Sequence, residues 1–149
     1  MANKTADIQK LRELTGAGVM ICKKALDEAG GVFDKAVALV KEQGFKRAAE
    51  KEGRETKAGL VKAYVHNDRV GVLLELNCET DFVARSDPFR ELAHSMAMQI
   101  AAMNPEDINE LLAQPYIKDE SMVINDLVKG VILKTGENVK VSRFTRYEL

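Results

Sequence analysis

The side chains best suited to nucleophilic or metal chemistry in this 149-residue sequence are two cysteines and two histidines. Cys78 ends a run of strand-forming residues, and His66 and His94 are the only imidazoles that could activate its thiol. The spacing places neither histidine beside it, and a buried strand cysteine usually behaves as a small apolar residue. A zinc site needs about four ligands, usually with one close pair, and these residues together with Cys22 contain no such pair. We therefore expect no catalytic residue, no bound metal and no cofactor.

A glycine-rich segment, residues 15–18, superficially resembles a phosphate-binding loop. It follows a predicted helix, whereas a phosphate-binding loop follows a strand, and it lacks the Gly-Lys-Ser/Thr sequence that such a loop requires. We therefore interpret the segment as a tight turn between two helices.

The segment ETDFVAR, residues 79–85, lies between a predicted strand and a predicted helix. Functional side chains are often displayed at such junctions because a rigid scaffold holds them. In a structural interpretation, Thr80 or Asp81 caps a helical turn and Phe82 packs into the core. In a functional interpretation, Phe82 is displayed, because the helix that follows already has its own apolar stripe. The local pattern leaves both interpretations open.

Composition indicates a soluble globular protein and excludes several other classes. Hydrophobic residues make up 46% and charged residues 30%, which rules out a disordered or collagen-like chain. No apolar stretch approaches the roughly 18 residues that cross a bilayer, so we expect no membrane partner. The net charge of −1 gives no support for nucleic-acid binding. Two cysteines without a CxxC pair, and an N-terminal segment without an apolar signal sequence, lead us to expect a cytoplasmic protein.

Residues 1–44 predict three short helices joined by glycine turns, which together form a small bundle. The third helix is predicted over residues 33–43, with Gly44 as the residue that ends it. A bundle of about 40 residues is near the lower size limit for independent folding. Residues 45–57 are dominated by charge and lack a wide apolar stripe, so we interpret them as an exposed helical linker interrupted near Gly53.

Residues 58–149 predict an α+β core domain. Alternation of apolar and polar residues on both sides of Asn67-Asp68 predicts a β-hairpin, and helical periodicity with an apolar stripe follows it. The predicted elements are strands 59–66 and 69–77, helices 88–103 and 107–113, an extended segment 114–119, a helix 122–134 and a strand 138–148. This order predicts a small antiparallel three-stranded sheet covered by helices.

Two longer motifs carry a resemblance to a known family. They are LRELTGAGVMICKKALDEAGG, residues 11–31, and VLLELNCETDFVAR, residues 72–85, with the charged linker between them. Gly136-Glu137-Asn138 and Arg143-Phe144 add matches near the C-terminal end. Together these motifs closely resemble bacterial elongation factor Ts, in the short form that has a single core lobe.

The resemblance implies a function and a set of site residues. Members of this family are guanine-nucleotide exchange factors for the translational GTPase elongation factor Tu. The N-terminal bundle is similar to their ubiquitin-associated-like domain, which rests on the G domain of that GTPase. Asp81 and Phe82 match the family's Asp-Phe pair, which enters the G domain near its Mg²⁺ site, and Thr80 and Val83 flank the pair in the same motif.

The resemblance also implies contacts by the bundle and a self-association. Arg12, Met20 and Lys23 match N-terminal positions that face elongation factor Tu in the family. Short members resemble one lobe of the longer members and pair through it, so we expect a homodimer that engages two copies of Tu. Longer members also carry an inserted helical segment where this chain has only about ten residues, between Met103 and Gln114.

A different interaction module is the main alternative. A ubiquitin-associated-like adaptor would use the bundle to hold another protein partner, and it would leave Asp81 and Phe82 without a role. A small thiol enzyme is a further alternative, which requires an exposed and reactive Cys78. Substitution of the Asp-Phe pair distinguishes the adaptor from the exchange factor, because an adaptor should keep its binding.

Overall fold

A computed structural model describes residues 4–149 as a set of helices, one main sheet and a small hairpin. The helices are α1 Lys4–Thr15, α2 Val19–Glu28, α3 Phe33–Lys51, α4 Asp81–Ala84, α5 Asp87–Met103, α6 Ile108–Ala113 and α7 Ile124–Thr135. The strands are β1 Ala58–His66, β2 Val70–Cys78, β3 Pro115–Tyr116, β4 Asp119–Val123 and β5 Lys140–Glu148. The main sheet is antiparallel, in the order β1-β2-β5. The predicted class, α+β with helices first and a three-stranded antiparallel sheet after them, is confirmed.

The first three helices pack around a core of mostly small side chains. Gly30 and Gly31 join α2 to α3 with positive φ angles of 62° and 82°, which residues with a Cβ rarely adopt. Leu133 of α7 completes this core, so an element from the far end of the chain closes the bundle. Residues 1–3 of the predicted bundle lie outside the described residues. The buried residues are Leu11, Ala17, Cys22, Ala25, Leu26, Ala29, Ala36, Val40 and Leu133.

The third helix is longer than predicted. We expected it to end at Gln43 with Gly44 as the stop, but α3 continues to Lys51. Gly44 is buried where α3 packs on α7, and Ala48 packs against the core of the main sheet, so tertiary burial outweighs the low helix propensity of glycine. The helix ends at Lys51, close to the interruption predicted near Gly53, but it does not resume, so residues 52–57 are not the helical linker that we expected. The predicted end of the bundle thus lies inside one helix, and the division into bundle, linker and core domain stays a prediction.

The β1–β2 hairpin is confirmed. The two strands pair along their whole length, and β2 pairs with β5 on its other side. The turn residues Asn67 and Asp68 both have positive φ, 51° and 56°. The two central positions of a type I′ turn require such angles, and this turn matches the right-handed twist of the flanking strands.

One face of the main sheet is covered and the other is open. α5 packs against β1 and β2, and α7 packs against α5, so the larger core lies between the sheet and these helices. The opposite face presents Val61, Val65, Leu73 and Tyr147, which are 49–75% exposed. Among residues 4–149, no helix has the length and apolar character needed to span a membrane.

A second hairpin, β3–β4, was not predicted. We expected an extended segment and then a helix from Met122, but residues 119–123 form β4 and α7 begins at Ile124. The Asp126 carboxylate accepts a hydrogen bond from the backbone N–H of Val123 at 3.0 Å, which fixes the start of α7. The fully buried side chain of Gln99 holds the hairpin from the α5 side, through bonds to the carbonyl of Pro115 and the backbone N–H of Ile117, each at 3.0 Å. Contacts over such sequence distances leave no local pattern.

Candidate functional site

The junction after β2 forms a single helical turn, α4, that is capped at both ends by side chains. Thr80 is the N-cap: its backbone is extended, and its Oγ1 accepts a hydrogen bond from the backbone N–H of Val83 at 3.3 Å. Asp81 occupies the first position, where a carboxylate is favourable near the amino end of a helix. Ser86 Oγ donates to the carbonyl of Val83 at 2.6 Å. The turn is therefore locally fixed.

The side chains of α4 divide between the core and the solvent. Val83 and Ala84 are buried and belong to the main core, whereas Asp81 is exposed and Phe82 is 86% exposed. The structural interpretation of this segment is thus right about the Thr80 cap and wrong about Phe82, which does not pack into the core. A large aromatic side chain displayed on a fixed turn points to a binding role.

The turn is tied to the far end of the chain by Glu137. One carboxylate oxygen, Oε1, accepts hydrogen bonds from the backbone N–H groups of Glu79 at 3.1 Å and Thr80 at 3.0 Å. The other, Oε2, accepts the hydroxyl hydrogen of Thr80 at 2.7 Å. We call these three bonds the Glu137 bridge. Thr80 therefore uses its hydroxyl within the molecule, as donor to Glu137 and as acceptor from Val83.

A second set of contacts joins the same region to the end of α3. The Asn138 N–H donates to Glu79 Oε2 at 3.3 Å, and the Asn138 side-chain amide donates to the carbonyl of Arg54 at 2.9 Å. The Arg54 guanidinium lies 3.7 Å from the Glu79 carboxylate, and Lys51 Nζ donates to the carbonyl of Gly136 at 2.7 Å. The turn, the end of α7 and the end of α3 thus form one connected polar network.

The candidate residues of the bundle lie where α1 ends and α2 begins. Arg12 is exposed in the last turn of α1, Met20 is 72% exposed in the first turn of α2, and Lys23 is exposed one turn later. Met20 and Lys23 are three residues apart, so they share a face of α2. We call these three residues the bundle corner.

Known proteins match this chain along nearly all of its length. The family model described as Elongation factor TS matches residues 79–149, which include α4 and Glu137. Elongation factor Ts of Thermotoga petrophila is 45% identical over 186 aligned positions that cover 95% of this chain and 94% of that protein. The protein of the same name from Thermodesulfovibrio yellowstonii is 39% identical over 193 positions, covering 100% of this chain and 97% of its own. The chain belongs to the elongation factor Ts family.

Membership of the elongation factor Ts family confirms the resemblance that the two motifs indicated, and it makes this chain a translation elongation factor. The alignments with the relatives are longer than the 149 residues of this chain, so those relatives contain residues that this one lacks. That the missing residues correspond to the inserted segment of longer family members stays a prediction.

The Cys78 thiol lies beneath the turn and is shielded from solvent. Its Sγ donates to the carbonyl of Thr80 at 3.2 Å, and the side chain is fully buried. Burial, and after it the nearby Glu137 carboxylate, raise the pKa of the Cys78 thiol to about 11. The thiol is therefore protonated at neutral pH, which contradicts the reactive cysteine that a thiol enzyme requires.

Neither histidine lies beside this thiol. In the β1–β2 register, Cys78 pairs with Ala58 at one end of β1, and His66 lies at the other end. Tyr64 contacts both imidazoles: its hydroxyl lies 3.0 Å from His66 Nδ1, and its ring packs edge-on against His94. Within residues 4–149, no three His, Cys, Asp or Glu side chains come together as a metal site.

Glu137 is the functional candidate that the sequence analysis missed. It lies 57 residues from Thr80, and the sequence analysis used Gly136-Glu137-Asn138 only as a family match. The one signal near it is a glycine after a predicted helix, which indicates a turn but not what the next carboxylate binds. The three-dimensional contact is what identifies it.

Proposed function

We propose that this chain is a guanine-nucleotide exchange factor that binds elongation factor Tu in its GDP-bound form and promotes GDP release during translation elongation. The observation that carries the proposal is the display of Phe82, 86% exposed, on a turn whose other side is buried. Solvent exposure of this side chain brings the free protein no stability. Burial in a partner would contribute about 1.5–3 kcal/mol of binding free energy.

The mechanism follows from thermodynamic linkage. A GTPase holds GDP through a backbone cradle around the phosphates and through a bridging Mg²⁺. A factor that binds the nucleotide-free GTPase more tightly than the loaded form weakens nucleotide binding by the same factor. A ten-thousandfold weakening requires about 5.5 kcal/mol, which is more than Phe82 alone can contribute. The remainder must come from other contacts, and we assign part of it to the bundle corner.

The four residues of the turn have different roles in this proposal. Phe82 enters an apolar site on the G domain, and Asp81 competes for the groups that organise Mg²⁺ without itself becoming a metal ligand. Val83 is buried and the Thr80 hydroxyl is engaged by Glu137, so we assign both residues to holding the turn in place. Mg²⁺ and GDP belong to the GTPase, and the chain needs no cofactor of its own.

The test is the release of a fluorescent GDP analogue from elongation factor Tu. We expect the wild-type chain to accelerate release and Phe82→Ala to reduce the acceleration by about 10- to 100-fold, from the lost burial. The matched control is Phe45→Ala, which removes a half-exposed phenylalanine of α3, far along the chain from the turn, and should release GDP like wild type. Phe82→Ala should unfold at the wild-type temperature. Phe45→Ala loses the contact of its ring with Lys129 Nζ, 3.1 Å from the ring centre, so it should unfold at a somewhat lower temperature and is assayed well below it.

The same experiment distinguishes the alternative function. An adaptor would bind its partner and leave GDP release unchanged, with or without Phe82. Release that is not accelerated by the wild-type chain would overturn the exchange-factor proposal.

We also propose that the chain forms a homodimer through the open face of the main sheet. Val61, Val65, Leu73 and Tyr147 give this face an apolar surface that the chain itself leaves uncovered. A second copy related by a twofold axis covers such a face most simply, because the same patch on each copy then packs against that of the other. The ion pair of Arg143 with Glu75, at 3.0 Å, lies in the same face and provides a charged margin.

The dimer is tested by sedimentation at micromolar concentrations. We expect a dimer for the wild-type chain and a monomer for Leu73→Glu, since a charge placed in an apolar interface is costly to bury. The control is Leu14→Glu on α1, an exposed leucine outside the sheet (63% exposed, against 49% for Leu73), which should leave the dimer intact. A wild-type monomer at these concentrations would contradict the proposal.

A further inference from the structure

The backbone between β2 and α4 has no strand partner of its own. The β1–β2 ladder ends at the pair of Cys78 with Ala58, so the N–H groups of Glu79 and Thr80 lie beyond it. Both N–H groups donate to the same oxygen of Glu137, and the Thr80 hydroxyl donates to the other. Two carboxylate oxygens thus serve three donors on the two residues directly before Asp81.

We propose that Glu137 is a positioning residue for GDP release, acting through the Glu137 bridge on the placement of Asp81 and Phe82. The inference rests on the proposed exchange function. The bonds of Glu137 go to the backbone and hydroxyl of the two residues directly before the displayed side chains, and none of them goes to Asp81 or Phe82. Glu137 therefore fixes the position of the turn, although its own side chain is not one of those that the turn displays.

The geometry indicates a role in position more than in stability. Glu137 and Glu79 are only partly buried and Thr80 is exposed, so water can hydrate the three donors when the carboxylate is removed. Val83 and Ala84 would still be buried, and α4 would remain attached to the core. The variant would lose the Glu137 bridge, which holds the amino end of the turn. A displacement of about 1 Å at a reacting centre can cost on the order of 100-fold in rate.

The experiment measures GDP release over a range of factor concentrations, which separates the rate at saturation from the half-saturating concentration. For Glu137→Ala we expect the rate at saturation to fall about tenfold while the half-saturating concentration stays within about twofold of wild type. Glu137→Gln keeps an oxygen for the two backbone N–H groups and should recover most of the rate. A loss of folded protein would instead raise the half-saturating concentration in terms of total factor.

The matched control is Glu110→Ala. Glu110 Oε2 accepts the backbone N–H of Glu106 at 2.7 Å, so this variant removes a carboxylate-to-backbone bond of the same kind from a loop far along the chain. It should release GDP like wild type. Adding Glu137→Ala to the double variant Asp81→Ala/Phe82→Ala should slow release by no more than about twofold, because the bridge acts through these two side chains and its effect is not additive with their loss.

Amide hydrogen exchange provides a readout that needs no GTPase. In Glu137→Ala, the amides of residues 79–83 should exchange at least about tenfold faster, while those of β2 and α5 keep their wild-type rates. An active wild-type chain together with a fully active Glu137→Ala variant, or with unchanged exchange at residues 79–83, would overturn this inference alone. An inactive wild-type chain would overturn the proposed function, and this inference with it.

Discussion

The α4 turn and the bundle corner both display exposed side chains, but different forces hold them in place. Phe82 is 86% exposed and Met20 is 72% exposed. The turn is fixed by hydrogen bonds to Glu137, 57 residues away from Thr80, and by two side chains buried in the larger core. The corner rests on the packing of α1 and α2 over a core made mostly of alanine and cysteine.

The difference suggests a division of labour. Hydrogen bonds from a distant segment fix the position of a short turn, which matters for a step that depends on geometry. Packing of helices over a small core presents a surface without fixing any one side chain closely, which is sufficient for docking. We therefore expect substitutions in the turn to change the rate of GDP release and substitutions in the corner to change affinity.

The largest predicted effect is a loss of stability in the bundle core. Leu11 is fully buried in the bundle core, and Leu11→Ala should cost about 2–5 kcal/mol of unfolding free energy there. Because that core is small, we expect α1 and α2 to open locally while the main sheet stays folded. Hydrogen exchange should show faster amides in α1 and α2 and unchanged amides in β2.

The control for this variant is Leu14→Ala on the same helix. Leu14 is 63% exposed, so its truncation should change stability by less than about 0.5 kcal/mol. Equal loss of protection in α1 and β2 would mean that bundle and sheet unfold as one unit, and the two regions would then not differ in stability as we argue.

The two cysteines extend the comparison to alkaline pH, since one lies in each region. Burial raises the pKa of both thiols, that of Cys78 from 9.0 to about 11. The folded chain keeps the thiol proton to a higher pH than the unfolded chain. The contribution of the Cys78 thiol to the free energy of unfolding is therefore complete below pH 9 and is lost as the pH rises toward 11. Two pKa units correspond to about 2–3 kcal/mol.

Urea unfolding between pH 8 and 11 measures this contribution. Stability should fall less steeply with pH in Cys78→Ala than in wild type, and Cys22→Ala should flatten the curve less. For Cys22, the nearby Thr15 side chain and the charge of Arg12 lower the pKa of the thiol and so oppose the effect of burial. Parallel curves for wild type and Cys78→Ala would show that the thiol beneath the turn is hydrated.

What can be predicted from the sequence also differs between the bundle and the turn. The positions of α1 and α2 follow from local helical spacing, whereas the residues of the bundle corner were identified only through the family resemblance. The Thr80 cap was also predictable, since a threonine before an acidic residue is a common helix start. The exposure of Phe82 was not decided, because a phenylalanine in a one-turn helix fits a core position as well as a display.

Contacts between distant segments account for the elements that were missed. The bridge from Glu137, the continuation of α3 through Gly44 and the hairpin held by Gln99 all depend on partners many residues away. Local periodicity does not indicate such a distant partner. The alternation of apolar and polar residues in β1 and β2, in contrast, indicates which face of each strand is buried. The proposed role of the turn came from the resemblance to the elongation factor Ts family, because the local pattern of residues 79–85 left it open.

A smaller effect is predicted for the Thr80 N-cap of the turn. Thr80→Ala removes the N-cap and one bond of the Glu137 bridge, and it should cost about 0.5–2 kcal/mol of unfolding free energy. Thr80→Ser keeps the hydroxyl and should behave like wild type in both stability and GDP release. Thermal unfolding and stopped-flow release measure the two quantities in parallel. A Thr80→Ala variant that releases GDP at the wild-type rate would show that the cap does not govern the turn.

The smallest predicted effect decides whether corner and turn act in different steps. Met20 is exposed on α2, and Met20→Ala should weaken docking by about 0.5–1 kcal/mol, roughly a twofold to fivefold rise in the half-saturating concentration. The rate of GDP release at saturation should stay at the wild-type value, since the turn is untouched. Met103→Ala, which removes another half-exposed methionine at the end of α5, should change neither quantity. A Met20→Ala variant that lowers the saturating rate would place the corner in the release step, and the contrast with Phe82 would no longer hold.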